Sequence, residues 1–304
     1  MNGKILIFYK YTQLACPEDI KKWQLNLCIE HNLTGRILIG QEGINGTVGG
    51  SSQECLAYAK AMTMHPLFKD IDIKESPGGA QCFPKLSIKI RNEIVTLGIN
   101  SHTFTPHDSG IHLTPKKAHE LMQKAPHNLL VFDIRNLYES RIGTFKNALR
   151  AEIENFRELP HYIDTHLEEF YNKDVLMVCT AGIRCERATT YLKKKNIAKN
   201  VYQLKGGIHR YTERYPKGFF KGKNYVFDGR IAVKVSNDII TNCDICNIQC
   251  DDYTNCINVL CNKQFIACST CIEKFNNACN TQCMVLINEK KVKKRTKEAR
   301  INAT

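Results

Sequence analysis

Apolar and polar positions change period along this chain, and the changes mark out its elements. Ile5-Leu-Ile-Phe-Tyr is a short run of strand formers. Pro17 then opens a helical stretch, as proline does in a first helical turn, with Ile20, Trp23 and Leu27 on one face. Arg36-Ile-Leu-Ile predicts a strand. Gln41-Glu-Gly-Ile-Asn-Gly-Thr-Val-Gly-Gly, with four glycines in ten residues, predicts a hairpin and a further strand. Ser51 and Glu54 have the spacing of a capping box ahead of a second helix, whose apolar stripe is Leu56, Ala59 and Met62. Period-two alternation returns at Ile71-Asp-Ile-Lys and at Leu86-Ser-Ile-Lys-Ile. The order β-α-β-β-α-β is the split βαβ arrangement, a ferredoxin-like α+β unit over residues 1–105.

The pattern then changes to continuous apolar runs. Thr114-Pro115 reads as a cap and first-turn proline. Leu129-Leu-Val-Phe-Asp, Val175-Leu-Met-Val-Cys and the weaker Val201-Tyr-Gln-Leu read as strands buried on both faces. Helical stretches at Pro160–Tyr171, Ile183–Lys195 and Ile208–Arg214 alternate with them. That alternation predicts a parallel α/β sheet over 113–221, with its site at the carboxyl ends of the strands. From residue 222 to 288 cysteine spacing dominates. A basic tail, 289–304, carries seven Lys or Arg against two Glu and reads as a solvated helix or arm.

Composition adds two facts to this layout. The 304 residues hold 43 Lys plus Arg against 30 Asp plus Glu, a net charge of +13 that suits a polyanionic partner. No apolar run approaches the ~20 residues of a membrane span, and the Ile5–Phe8 run is too short for a signal peptide. A cytoplasmic protein with no membrane partner is expected. There are 15 cysteines, nine of them between Cys243 and Cys283. In a reducing compartment such clustering signals metal or redox chemistry more than structural disulfides.

The cysteine with the most informative setting lies outside that cluster. Cys179 ends a buried strand, Gly182 permits a tight turn, and a helix follows at once. Backbone amides of 180–184 and the helix dipole then favour a thiolate of lowered pKa, and Arg184 adds fixed positive charge. A buried packing cysteine is the bland alternative. Cys185 follows six residues later. It could resolve a disulfide or persulfide at Cys179, but a position more than a turn into the helix favours packing.

Cys179-Thr180-Ala181-Gly182-Ile183-Arg184 resembles the active-site loop of the rhodanese superfamily, in which the cysteine carries a persulfide. Asp133-Ile-Arg135 resembles that family's D-x-R motif, and Leu204-Lys-Gly-Gly-Ile its later L-x-G-G-I segment. Four residues between Cys179 and Arg184 make a cradle too small for a phosphate tetrahedron, which argues against a phosphatase. Four further stretches occur in the same order in one subgroup, the rhodanese-domain tRNA uridine hydroxylases. They are Glu42-Gly-Ile-Asn-Gly-Thr, Val131–Glu139, the loop through Glu186, and Val226-Phe-Asp-Gly-Arg-Ile-Ala-Val with the cysteines after it. The resemblance runs from about residue 5 to 285. It implies an acylphosphatase-like first domain, a rhodanese-like second one, and oxygen-dependent hydroxylation of the wobble uridine, position 34, to 5-hydroxyuridine. In the family loop, usually C-T-G-G-I-R, this chain has Ala181 for a glycine, which is compatible unless the position needs φ > 0.

The resemblance makes Cys179 the essential residue, with Asp133, Arg135, Cys185 and Glu186 in support. Dioxygen chemistry usually needs a metal, flavin or radical partner. No G-x-G-x-x-G fingerprint for flavin or nicotinamide appears, nor a two-His-one-carboxylate spacing, so sulfur at Cys179 is the visible reactive group. Candidate tRNA contacts are Arg36, Lys85, Lys89, Arg91, Arg210, Arg214 and Lys290–Arg300, with Phe83 beside Lys85 as a stacking candidate.

Cys243-x2-Cys246 and Cys268-x2-Cys271 approximate a zinc ribbon. Cys250, Cys256, Cys261, Cys279 and Cys283 could furnish most of a second site, with one to spare. An iron–sulfur cluster or plain reduced thiols are the alternatives. Two other functions fit parts of the sequence: a sulfurtransferase carrying a persulfide on Cys179, and a non-catalytic RNA-binding adaptor. A plain sulfurtransferase needs neither flanking module, and the intact loop argues against an adaptor.

Overall fold

Glycine-rich alternation at the start of the chain folds into a five-stranded sheet. A computed structural model describes residues 3–99 and 108–294; the tail beyond 294 and the expected boundary at 105 lie outside the described residues. β1 (Gly3–Tyr11), α1 (Pro17–Glu30), β2 (Thr34–Gly40), β3 (Gly43–Ser51), α2 (Ser52–Met64) and β4 (Lys74–Pro77) follow the split βαβ order, and β5 (Leu86–Ile90) adds an edge. The sheet order is β4-β1-β3-β2-β5, with only β2–β5 parallel.

Leu6, Phe8, Ile37, Ile39, Ile44 and Val48 face α1 and α2 in one core. The Ser51 hydroxyl accepts from Glu54 N–H and the Glu54 carboxylate accepts from Ser51 N–H, the complete capping box, worth about 1 kcal/mol. Two expectations change here. The buried face of α2 is Cys55, Tyr58 and Met62, and Leu56 is 67% exposed. Phe83 is buried, so it packs rather than offering a ring to a base.

The opposite face follows from the register, because side chains alternate. Lys74 lies beside Ile7, Ile7 opposite Thr47, and Thr47 opposite Arg36. Tyr9 lies opposite Asn45, Asn45 opposite Leu38, and Leu38 beside Lys89. One face therefore carries Lys74 and Tyr9 at one side and Arg36 and Lys89 at the other.

The next elements are β6 (Ile111–Leu113), α3 (Pro115–Lys124), β7 (Leu129–Asp133), α4 (Leu137–Ser140), β8 (Gly143–Phe145) and β9 (Leu149–Arg150). They are followed by α5 (Leu159–Thr165), α6 (Leu167–Phe170), β10 (Asp174–Val178), α7 (Ile183–Lys195), β11 (Asn200–Leu204) and α8 (Gly207–Arg214). The parallel sheet β6-β11-β10-β7-β9 puts β10 at its centre, which accounts for that strand's unbroken apolar run. The helix expected over Pro160–Tyr171 is two short ones, broken where His166 leaves the helical region at φ −132°.

Both modules so far belong to one compact unit, the chain up to Leu137 with Phe145–Phe219. A second unit joins Tyr138–Thr144 to the chain from Phe220 onward. It contains β12 (Phe220–Tyr225) and β13 (Ala232–Lys234) in the sheet β13-β12-β8, the hairpin β14 (Tyr253–Asn255) and β15 (Gln264–Ile266), and α9 (Ser269–Lys274) and α10 (Thr281–Asn288). Its core is built from cysteines as much as hydrocarbon: Cys243, Cys250, Cys256, Cys271 and Cys283 pack with Phe265, Ile266 and Ile287. No helix among the described residues is long and apolar enough to cross a membrane.

Candidate active site and metal centres

Cys179 is the first residue beyond β10, and α7 begins four residues later. Gly182 makes the turn at φ 104°, a conformation natural to glycine, whereas Ala181 is not among the residues with positive φ. Gly182 N–H donates to Cys179 Sγ at 3.2 Å. The Cys179 and Thr180 carbonyls accept from the amides of Ile208 and His209 at the start of α8 (2.9 and 3.1 Å), which pins the loop from behind. Gly207 permits that approach: a Cβ there would stand 2.5 Å from the Cys179 carbonyl oxygen.

The sulfur is completely buried. Burial alone would push its pKa up. The Cys185 thiol, the Arg184 guanidinium and the amides of Cys185 and Gly182 outweigh that and bring the thiol down to about 6. Arg184, itself buried, is steadied by donating to Thr180 Oγ1 at 3.2 Å. Cys185 corrects an expectation. Because α7 starts at Ile183, it is the third helical residue, not a turn and more along, and it stands against Cys179. Burial holds its own pKa well above the ordinary value, so it stays a thiol and a donor.

Around this loop stand Glu186, expected from the sequence, and several groups that escape a reading from sequence. Glu186 accepts from Gln203 Nε2 (3.0 Å) and Tyr9 Oη (3.2 Å) and pairs with His112 Nε2 (2.9 Å). Burial raises its pKa, but the His112 and Gln203 contacts outweigh that and keep it low. Tyr9 comes from β1, and its hydroxyl lies 2.8 Å from where a Cβ on Gly182 would sit. Lys74, from β4, is fully buried, with Nζ 2.9 Å from Asp72 and 5.4 Å from the Tyr9 ring centre. Arg187 of α7, also fully buried, pairs with Glu42 and, at 2.9 Å, with Glu93. The first module thus supplies both neighbours of the thiol and the carboxylates that hold α7.

Asp133 and Arg135 close on each other. Both are buried, and Arg135 Nε and Nη2 donate to the Asp133 carboxylate at 2.8 and 2.6 Å, at the carboxyl end of β7. Arg36 and Lys89 are exposed on the sheet face that carries Tyr9, and Lys85 and Arg91 are exposed just before and after β5. Arg210 is differently placed. It donates to Asp72 (2.7 Å), the Ile73 carbonyl (2.9 Å) and Glu213 (2.9 Å), so its charge is spent inside the protein. Arg214 lies over the Tyr215 ring at 5.8 Å.

In the second unit two groups of four cysteines converge: Cys243, Cys246, Cys268 and Cys271, and Cys256, Cys261, Cys279 and Cys283. In each, the sulfurs lie within 4.8 Å of one another. Cys246–Cys268, Cys261–Cys279 and Cys279–Cys283 are 3.7, 3.6 and 3.9 Å apart. Four thiolates at ~2.3 Å from one zinc stand ~3.8 Å apart along each tetrahedral edge, so both groups fit zinc in size and donor type. The pairs alternate along the chain, first and third in one group and second and fourth in the other. Ile245 N–H donates to Cys243 Sγ and Asn258 Nδ2 to Cys283 Sγ, both at 3.5 Å. Cys250, a candidate for the second site, belongs to neither group.

Comparison with known proteins bears on all three parts of the chain. Residues 3–94 match the family model of the UPF0176 acylphosphatase-like domain, 114–214 the rhodanese-like domain, and 221–284 the rhodanese C-terminal domain. The chain is 37% identical over 276 residues to the tRNA uridine(34) hydroxylase of Corynebacterium jeikeium, covering 88% of this chain and 89% of that one. It is 36% identical over 283 residues to that of Cytophaga hutchinsonii, covering 92% and 89%. For that of Shouchella clausii the identity is 38% over 288 residues, covering 93% and 88%.

Proposed function

Because this chain belongs to the tRNA uridine(34) hydroxylase family, we propose that it hydroxylates uridine 34 of tRNA to 5-hydroxyuridine, with dioxygen as co-substrate and Cys179 as the reactive group. The observation that carries the residue assignment is the thiol brought down to about 6 at the end of the central strand. At neutral pH that sulfur is an anion, and it is nucleophilic whether bare or as a persulfide. Its addition at C6 of the pyrimidine ring makes C5 enolate-like and open to oxygen. One atom of dioxygen goes to C5, an external two-electron donor reduces the other to water, and loss of the C5 proton expels the sulfur from C6. Arg184, Thr180, Ala181, Gly182 and Ile183 form the cradle for the anion. Asp133 with Arg135, Cys185 and Glu186 hold the cradle's shape.

A loop base reaches such a site only after it leaves its stack. The sulfur has no exposed surface, so the uracil arrives by displacing the side chains that cover it. Arg36 and Lys89, on the sheet face that carries Tyr9, are placed to take backbone phosphates, with Lys85 and Arg91 beside them. Arg210 is better assigned to holding Asp72. Zinc in the two four-cysteine sites is structural, holding the second unit together, and the reaction needs no residue from those sites. We place the enzyme in the cytoplasm with its substrate.

The test is expression of wild type and Cys179→Ser in a host lacking 5-hydroxyuridine, with nucleoside analysis of its tRNA after growth under 18O-labelled dioxygen. Wild type is expected to give 5-hydroxyuridine carrying one labelled oxygen, and Cys179→Ser at least a hundredfold less. Full product from the serine variant, or unlabelled product, overturns the proposal.

A further inference from the structure

A buried ammonium group needs more compensation than Lys74 visibly has. Its side chain has no exposed surface, and removing such a charge from water costs several kcal/mol unless other charges and hydrogen bonds offset it. Nζ forms an ion pair with Asp72 at 2.9 Å, but no hydrogen bond of good alignment. Asp72 is also claimed by Arg210 at 2.7 Å, and its side chain is 42% exposed. The ammonium lies over the Tyr9 ring, and Tyr9 reaches Gly182 of the cysteine loop. The stem of Lys74 passes Gly206, next to the Gly207 that backs Cys179: a Cβ on Gly206 would be 3.5 Å from Lys74 Cε. Lys74 thus enters the loop's surroundings from a strand about a hundred residues away, on the side opposite Arg184 in sequence origin.

We propose that Lys74 is the positioning cation of the Cys179 site, supplied by the acylphosphatase-like module to stabilise the anionic sulfur, thiolate or persulfide, that the rhodanese-like loop presents. The inference rests on Cys179 as the reactive group. It gives the first module a part in the chemistry besides a surface for tRNA. The charged and titratable groups gathered around the loop are Arg184, Cys185 and Glu186 from α7, Tyr9 from β1, Lys74 from β4 and His112 from β6, which pairs with Glu186; Asp72 and Arg210 stand behind Lys74. Of these, Arg184 acts on the sulfur most strongly and Lys74 adds a second, weaker attraction, while Arg210 is held by Asp72 and Glu213.

The experiment compares the zinc-loaded full chain with Lys74→Met and Lys74→Arg. Two readouts are taken: the pH midpoint of the Cys179 thiolate, from ultraviolet absorbance with the matching Cys179→Ser protein subtracted, and the 5-hydroxyuridine content of tRNA. Lys74→Met is expected to fold, because Asp72 retains Arg210 and methionine fills the buried stem's volume. If it does not, Lys74→Gln takes its place. The apolar variant should raise the midpoint by about one unit, as losing a nearby opposite charge does. It should lower hydroxylation about twofold at pH 7, with recovery at alkaline pH, where the thiolate forms without help. Lys74→Arg should keep the midpoint within a few tenths of a unit of wild type. An unchanged midpoint in the apolar variant overturns the inference, even if activity falls. The two proposals fail separately: a wild type that makes no 5-hydroxyuridine contradicts the proposed function, while the midpoint shift still decides the role of Lys74.

Discussion

Cys179 and the eight paired cysteines of the second unit are the same side chain under opposite arrangements. Cys179 stands at a strand end with amides, a thiol and a guanidinium turned toward it, and it belongs to neither group of converging sulfurs. The eight stand in two fours, with neighbouring sulfurs 3.6–3.9 Å apart, close enough that like-charged thiolates require a cation between them. In the first setting the protein stabilises a negative charge with its own groups, under side chains that a substrate must displace. In the second the proposed zinc would take the charge and the sulfur would become structure. Counting cysteines therefore points away from the thiol we propose as reactive. What surrounds each sulfur decides its role.

The largest effect follows from that contrast. Structural zinc sites supply ~10–16 kcal/mol to the folding of small modules. Metal analysis should find two zinc per chain. Stripping them with a chelator, or replacing Cys246 by Ser, should make the region from about Cys243 to Ile287 open to protease while the unit holding Cys179 stays resistant. A metal-free protein whose second unit resists protease equally well would break the comparison, because its thiols would then be ordinary core.

A smaller effect tests how the lone thiol's setting is held. Arg187 ties α7 to Glu42 and Glu93 with a fully buried guanidinium. Burial already pushes the Glu42 carboxyl up despite that partner. Arg187→Met leaves two carboxylates facing each other without a cation and should cost ~3–5 kcal/mol, seen as a lower Tm. The sign of the pH dependence is fixed. With the cation gone, the Glu42 carboxyl, already raised by burial, titrates higher still, so the folded state binds more protons than the unfolded and the deficit shrinks as pH falls through that range. A variant with wild-type Tm at neutral pH would show that the ion pairs contribute nothing there.

Much of the Cys179 loop is legible in the chain because its parts are contiguous: an apolar strand, a cysteine, a glycine turn, an arginine and a helix. The capping box at Ser51 is legible for the same reason. Lys74 and Tyr9 are not. Alternation in Ile71-Asp-Ile-Lys marks Lys74 as a polar position on a strand, which reads as a solvent face. Only the β1–β4 register, with the packing of one module on the other, buries it. Cys185 is misread by a single boundary, since a helix start at Ile183 places it in the first turn. Leu56 fails because a three-residue stripe fits two adjacent helix faces, and Cys55 and Tyr58 take the inner one. The first four-cysteine group follows from paired C-x2-C spacing. The second, with spacings of four and three residues, appears only when the fold interleaves the pairs, which leaves Cys250 out.

The claim that one thiol is set apart is tested most directly by titrating it. Ultraviolet thiolate absorbance of the zinc-loaded protein, with the Cys179→Ser protein subtracted, should rise with a midpoint near the value of about 6 that the loop imposes. A midpoint in the ordinary cysteine range of ~8–9 would contradict it, for Cys179 would then be a buried thiol like its neighbours rather than the reactive group of the site.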